Sequence, residues 1–216
     1  MRTRVPALAL AVLFTLAPAY AAPPKSGFIE DLPALKADAS RPAAQIYTAP
    51  GRSLKGYDRV SIEPVQIWYA PDSKYRGVEP NELAAIANTF AEVLVERLEP
   101  TYAVVNGEGA GILRVRIAIT NVQAEKKKRS LLGYTPAGFV LGAVKDAATA
   151  GPNIDLRSAW VEAEILDADG KRLAVVMEPL FPEGGKKDTL SWKDIGAVLD
   201  AWAQRLRARL DADNAR

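Results

Sequence analysis

Glu162 and Glu164 stand two residues apart in the run Trp160-Val161-Glu162-Ala163-Glu164-Ile165. On a strand that spacing sends both carboxylates to one face, about 7 Å apart or less. Paired carboxylates suit a glycosidase, where one protonates the leaving group and the other serves as base or nucleophile, or they can hold a divalent cation through oxygen. The same alternation has a plainer account: Val161, Ala163 and Ile165 take the core face and the glutamates take the wet one. The plainer account outweighs the catalytic one. Trp160 shares the glutamate face and adds the prospect of a carbohydrate- or peptide-binding patch.

Other residues with chemical potential are judged the same way. Asp167-Ala168-Asp169-Gly170 begins like a calcium loop but lacks the third ligand and the distant bidentate glutamate, so it reads as a hairpin turn. Trp68, Tyr69 and Tyr75 flank a Pro-Asp-Ser loop, where they suit recognition of a peptide or glycan, or clamp a neighbouring segment onto a sheet. Lys126, Lys127, Lys128 and Arg129 form a basic run that reads as a solvated loop, with contact to anionic headgroups as the alternative. Just beyond, 131–150 is apolar and punctuated by Gly133, Gly138 and Gly142, with Phe139 at its middle. A buried crossover explains it; a membrane- or partner-docking element is the alternative. Ser191-Trp192-Lys193 looks like a helix cap, and Gly107-Glu108-Gly109-Ala110-Gly111 precedes a strand and so is no phosphate loop.

Composition narrows the field further. The 216 residues contain no histidine and no cysteine. That removes the commonest general base, thiol chemistry, disulfides and the nitrogen and sulfur ligands of most zinc and copper sites. No catalytic residue, metal site or cofactor is expected. Arg2 and Arg4 precede an apolar run from Val5 to Leu16, and Ala19-Tyr20-Ala21 offers the small residues of a cleavage site. That is the layout of a secretory signal over residues 1–21. The two arginines are its only charges, so without it the 28 basic residues fall level with the 26 acidic ones. Balanced charge gives no footprint for nucleic acid.

The elements that must position these residues follow from periodicity. Residues 22–56 are rich in Pro, Ala, Ser and Gly and read as an extended arm, pinned by Phe28, Leu32, Leu35, Ile46 and Tyr47. Val60 and Ile62, then Val65 and Ile67, alternate around Pro64, as a strand interrupted by a proline does. Pro80 opens a helix in which Leu83, Ile86, Phe90, Val93, Leu94 and Leu98 recur at three and four residues, and Pro100 ends it. Short and long strands follow at Tyr102–Val105 and Leu113–Thr120. A long pair runs over about 154–166 and 171–177, and Ser191 caps a closing helix lined by Val198, Leu199, Trp202, Leu206 and Leu210. The expected fold is a single two-layer α+β domain over 57–216. Its one mixed or largely antiparallel sheet has about five strands, with both amphipathic helices on one face.

Ser26-Gly27-Phe28-Ile29-Glu30-Asp31, Tyr57-Asp58-Arg59-Val60, Ala118-Ile119-Thr120, Glu162-Ala163-Glu164-Ile165-Leu166-Asp167 and Asp200-Ala201-Trp202-Ala203 occur in an order and spacing that resemble a family of bacterial envelope proteins catalogued as domain of unknown function 3313. That resemblance implies an envelope location, and it brings no accepted activity and no site residues. Its members are typically lipoproteins, whereas no cysteine follows the signal here. The expectation is therefore an exported, periplasmic, non-catalytic binding or accessory protein that is not lipid-anchored. Its partner would be another envelope protein or a peptidoglycan-associated component. The alternatives are a carboxylate-dependent carbohydrate-active enzyme using Glu162 and Glu164, and a membrane-surface or oligomer-forming protein acting through 126–150.

Overall fold

The computed structural model describes residues 23–73, 80–99, 101–126, 154–180 and 192–215. Among these, eight strands form one mixed sheet: β1 (Lys36–Asp38), β2 (Arg41–Thr48), β3 (Arg59–Ile62), β4 (Gln66–Tyr69), β5 (Ala103–Val104), β6 (Ile112–Lys126), β7 (Ile154–Leu166) and β8 (Arg172–Pro179). Their order across the sheet is β1-β2-β8-β7-β6-β3-β5, with β4 also paired to β6. β3 and β4 run parallel to β6, and β6, β7, β8, β2 and β1 form an antiparallel series. Among the described residues two helices pack with the sheet, α1 (Pro80–Leu98) and α2 (Trp192–Asn214).

The class is α+β as expected, but the count of about five strands is corrected to eight. Part of the excess comes from the arm. Residues 36–48 are a hairpin that adds β1 and β2 to the edge of β8. Its turn is closed by Asp38, whose Oδ1 accepts hydrogen bonds from the Ser40 N–H at 2.8 Å and the Ser40 hydroxyl at 2.7 Å, an aspartate-anchored turn.

The helices cover one face. Leu113, Val115, Ile117 and Ile119 of β6 meet Val161, Ala163 and Ile165 of β7, all buried, together with Ile86, Phe90, Leu94 and Leu98 of α1 and Leu199, Trp202, Leu206 and Leu210 of α2. Each of these large side chains contributes roughly 1.5–3 kcal/mol by leaving water. Asn121, at φ 50°, marks an irregularity in β6. The alternation shifts by one residue there, so Val122 and Ala124 rejoin the core of Ile117 and Ile119. Between the helices, Arg97 donates to both Asp200 oxygens at 2.6 and 3.0 Å, which holds the Asp200 carboxyl below its usual range. Among the described residues no helix is long and apolar enough to cross a membrane.

The opposite face is covered too. Phe28 and Ile29 of the arm are buried against Ala118, Val175 and Met177, with Leu32, Leu35, Tyr47 and Trp160 packed around them. The expectation that this face is wet is corrected.

Candidate functional site

That correction decides what Glu162 and Glu164 can do. Both are only 2% exposed. Register places Glu162 opposite Ala118 and Met177, and Glu164 opposite Arg116 and Val175, so the pair does share a face as alternation requires. Glu164 is fully engaged: its Oε1 accepts from Arg172 Nε at 2.5 Å and its Oε2 from Arg116 Nη1 at 2.6 Å. Arg116 also reaches Glu63 at 3.3 Å. Glu162 accepts from the Thr120 hydroxyl at 2.6 Å. Burial pushes its pKa up, and hydrogen bonds from Thr120 and Ser26 pull it partly back.

The residues over this pair are the Ser-Gly-Phe stretch of the arm. The Ser26 side chain bonds Glu162 and accepts the Phe28 N–H at 3.0 Å. Gly27 turns the chain at φ 90°, a conformation open to glycine, beside the Trp68 ring. Phe28 lies under the Arg116 guanidinium, 5.2 Å from ring centroid to Cζ, and meets Trp68 edge-on at 6.3 Å. Arg172, already on Glu164, donates its two terminal nitrogens to the carbonyls of Glu30 and Asp31 at 2.8 and 2.9 Å. Asn121 donates to the Pro24 carbonyl at 3.1 Å. The carboxylate pair is thus roofed by main chain that its own arginines hold down.

The remaining sequence candidates separate. Trp68 is exposed and clamps the arm, Trp160 is half-buried beside it, and Tyr69 packs against the helix-side core. Asp167 is a turn residue, accepting the N–H groups of Asp169 and Lys171 at 3.0 and 2.8 Å, with Gly170 at φ 74°. Lys126 closes β6 opposite Ile154. The signal over 1–21, Tyr75, Lys127, Lys128, Arg129, the 131–150 segment with Phe139, and the Ser191 cap lie outside the described residues.

The open site lies elsewhere, on the helix face. Seven strands abreast span about 29 Å at about 4.8 Å each, while two helices packed side by side cover about 20 Å. α1 packs on the β4 and β5 side and against α2, so the shoulder over β8 and β2 is left thinly covered. Ile46, Ala174 and Val176 are half-buried there. Glu178, 6% exposed, shares that face, and it is bonded by Arg41 from β2 and by Arg205 from α2. These three side chains bridge a groove. On one side a cavity of about 100 Å³ runs inward among Ile46, Leu54, Leu173, Trp202 and Leu206. On the other, a wider space of about 440 Å³ lies among Ala43, Ala44, Leu180, Ala197, Val198 and Ala201.

The charges around the inner cavity are unevenly matched: Arg41 is held by Asp38 at 2.9 Å as well as by Glu178, and Arg205 by Glu178. Arg52 and Arg209 reach their acidic neighbours Asp167 and Asp213 only at 3.4 and 3.7 Å. Arg205 Nε is buried with no hydrogen-bond partner among the described residues. Sequence reasoning did not single out Arg41, Glu178 or Arg205. One signal was present: Glu178 follows Ala174 and Val176 at two-residue spacing, a charge on the core-facing side of a strand, which needs a partner.

Comparison with known proteins gives a family and distant likenesses. The family described as "Protein of unknown function (DUF3313)" matches residues 24–206. Curated proteins give no match. Among solved structures, the PelC dodecamer from Paraburkholderia phytofirmans is 10% identical, with a TM-score of 0.37 over 80% of this chain and 99% of that one. A DUF4136 family protein from Bacteroides thetaiotaomicron is 11% identical, with a TM-score of 0.35 over 78% and 95%. Uncharacterized lipoprotein B from Nitrosomonas europaea is 17% identical, with a TM-score of 0.31 over 77% and 90%.

Proposed function

The chain belongs to the DUF3313 family, and from that membership we propose that it is a non-catalytic binding or accessory protein of the bacterial cell envelope. One observation carries the binding role: the carboxylate pair is locked under the arm, while the apolar groove bridged by Glu178 stays open. Glu164 is held by two guanidiniums and Glu162 by the Thr120 and Ser26 hydroxyls, both buried beneath the arm, so neither carboxylate faces a space that a substrate could enter. An apolar groove with a few convergent polar groups is the form binding sites take. The leading Arg2 and Arg4, the apolar run behind them and Ala19-Tyr20-Ala21 favour export to the periplasm. In that compartment the partner is another envelope protein or a peptidoglycan-associated component.

The test is cross-linking of the tagged full chain in living Gram-negative cells, followed by identification of what co-purifies. One reproducible envelope partner, lost when Ala201→Trp fills the wider part of the groove, is the expected result. Glycan hydrolysis that disappears in the double variant Glu162→Gln, Glu164→Gln would overturn the non-catalytic reading.

A further inference from the structure

We propose that the inner cavity binds an unbranched alkyl carboxylate, with its chain among Ile46, Leu54, Leu173 and Trp202 and its head between the arginines of the mouth; this rests on the binding role above and names the ligand class. Three features of the cavity lead there. Its volume is about 100 Å³. At the roughly 10–15 Å³ that one water-sized group needs, it holds a chain of about seven to ten heavy atoms. Its apolar lining comes from β2, β7, β8, α2 and Leu54, and Thr48 and Ser53 add hydroxyls. Beyond the charged side chains, few hydroxyls, such as those of Thr48 and Ser53, stand in the lining to meet the several N–H and C=O groups that a peptide of that size would bring.

The mouth selects the head group. Arg41, Arg52, Arg205 and Arg209 line the cavity together with Asp38, Glu178 and Asp213, four guanidiniums against three carboxylates. Arg52 and Arg209, about half exposed, are held only by long contacts, and they can turn to a new acceptor at little cost. Arg205 Nε is buried and unbonded among the described residues, so a carboxylate reaches it only when the side chain shifts, and the half-exposed Arg52 and Arg209 present the accessible donors. Guanidinium forks match a carboxylate in a way that an alcohol or an ammonium cannot. An alcohol offers one weak acceptor, and a cationic head meets like charge.

The experiment is calorimetric titration of the purified protein with sodium decanoate, alongside hexanoate, octanoate and dodecanoate, and with decyltrimethylammonium as the cationic control. Saturable one-to-one binding of decanoate is expected. Affinity should rise about four-fold per added methylene until the cavity is full, and then level off. Decyltrimethylammonium should give no saturable heat. Ala174→Leu, which fills the cavity from β8, should abolish decanoate binding while the melting temperature holds or rises. Arg205→Met, which keeps the stem and drops the charge, should weaken decanoate about ten-fold or more. Absence of saturable decanoate binding, equal binding of the ammonium, or wild-type affinity in Ala174→Leu each overturns the proposal. If decanoate fails while a cross-linked envelope partner still depends on the groove, the ligand is wrong and the binding role stands; failure of both removes both.

Discussion

Glu164 and Glu178 are the same motif built twice, on opposite faces of one sheet. Each is a buried glutamate held by two arginines, Arg116 and Arg172 in one case and Arg41 and Arg205 in the other. Around Glu164 the arginines turn their further contacts on the protein itself: Arg172 goes on to two carbonyls of the arm, and Arg116 to Glu63 and the face of Phe28. Around Glu178 the arginines border cavities on both sides, and one of them keeps a buried nitrogen without a partner among the described residues. The first cluster is a clamp, completed by backbone. The second is the same clamp left with room beside it, and that room separates a site from a strut.

The contrast breaks most visibly at Phe28. If the arm is part of the fold, Phe28→Ala removes its anchor and should cost about 3–5 kcal/mol in urea unfolding. The freed arm should then be cut by trypsin at Lys25, before the domain unfolds. A loss below about 1 kcal/mol would mean that the arm is a loose cover and the two faces are alike.

A closer comparison uses the same substitution in each cluster. Arg172→Met leaves Glu164 short of a partner inside the protein and releases two arm carbonyls, so about 3 kcal/mol is expected. Arg205→Met leaves Glu178 with Arg41 at a groove that water can enter, so about 1 kcal/mol is expected. Chemical denaturation of both variants decides it. Equal costs would make the Glu178 cluster as structural as its counterpart.

What the sequence could reveal follows the same division. α1, α2 and the β6–β7–β8 meander were legible, because each has one apolar face and its period shows directly in residues such as Leu94-Leu98 or Ile117-Ile119. The turn at Asp167 was legible because its chemistry is local. The β1–β2 hairpin was not: Pro42 near its start argues against a strand, and its apolar residues are split between the helix side and the arm side. Alternation put Glu162 and Glu164 on one face correctly, yet it could not say what lies over that face. The cover comes from Phe28 and Ile29, far away in the chain, and their packing is a tertiary fact. The groove was hidden for the same reason, since Arg41, Glu178 and Arg205 converge only once β2, β8 and α2 are in place.

Glu162 provides the last and smallest test, because it is the carboxylate on the sealed face that two hydroxyls hold and no arginine bonds among the described residues. Burial holds its pKa above the usual value, so the folded protein favours the protonated form. A raised folded pKa contributes stability that is fully present below the unfolded value, about pH 4, and is lost as pH rises through the folded one. Glutamine cannot ionise. Glu162→Gln should therefore equal the wild type in urea melts near pH 4 and exceed it at neutral pH, the gap opening as the native carboxyl ionises under the arm. Glu164→Gln should do the reverse and lose stability at neutral pH, because two arginines there depend on the charge. If both glutamines destabilise at neutral pH, the arm does not keep water from Glu162. The sealed face would then be as open as the groove beside Glu178, and the difference between the two clusters would lie in their arginines alone.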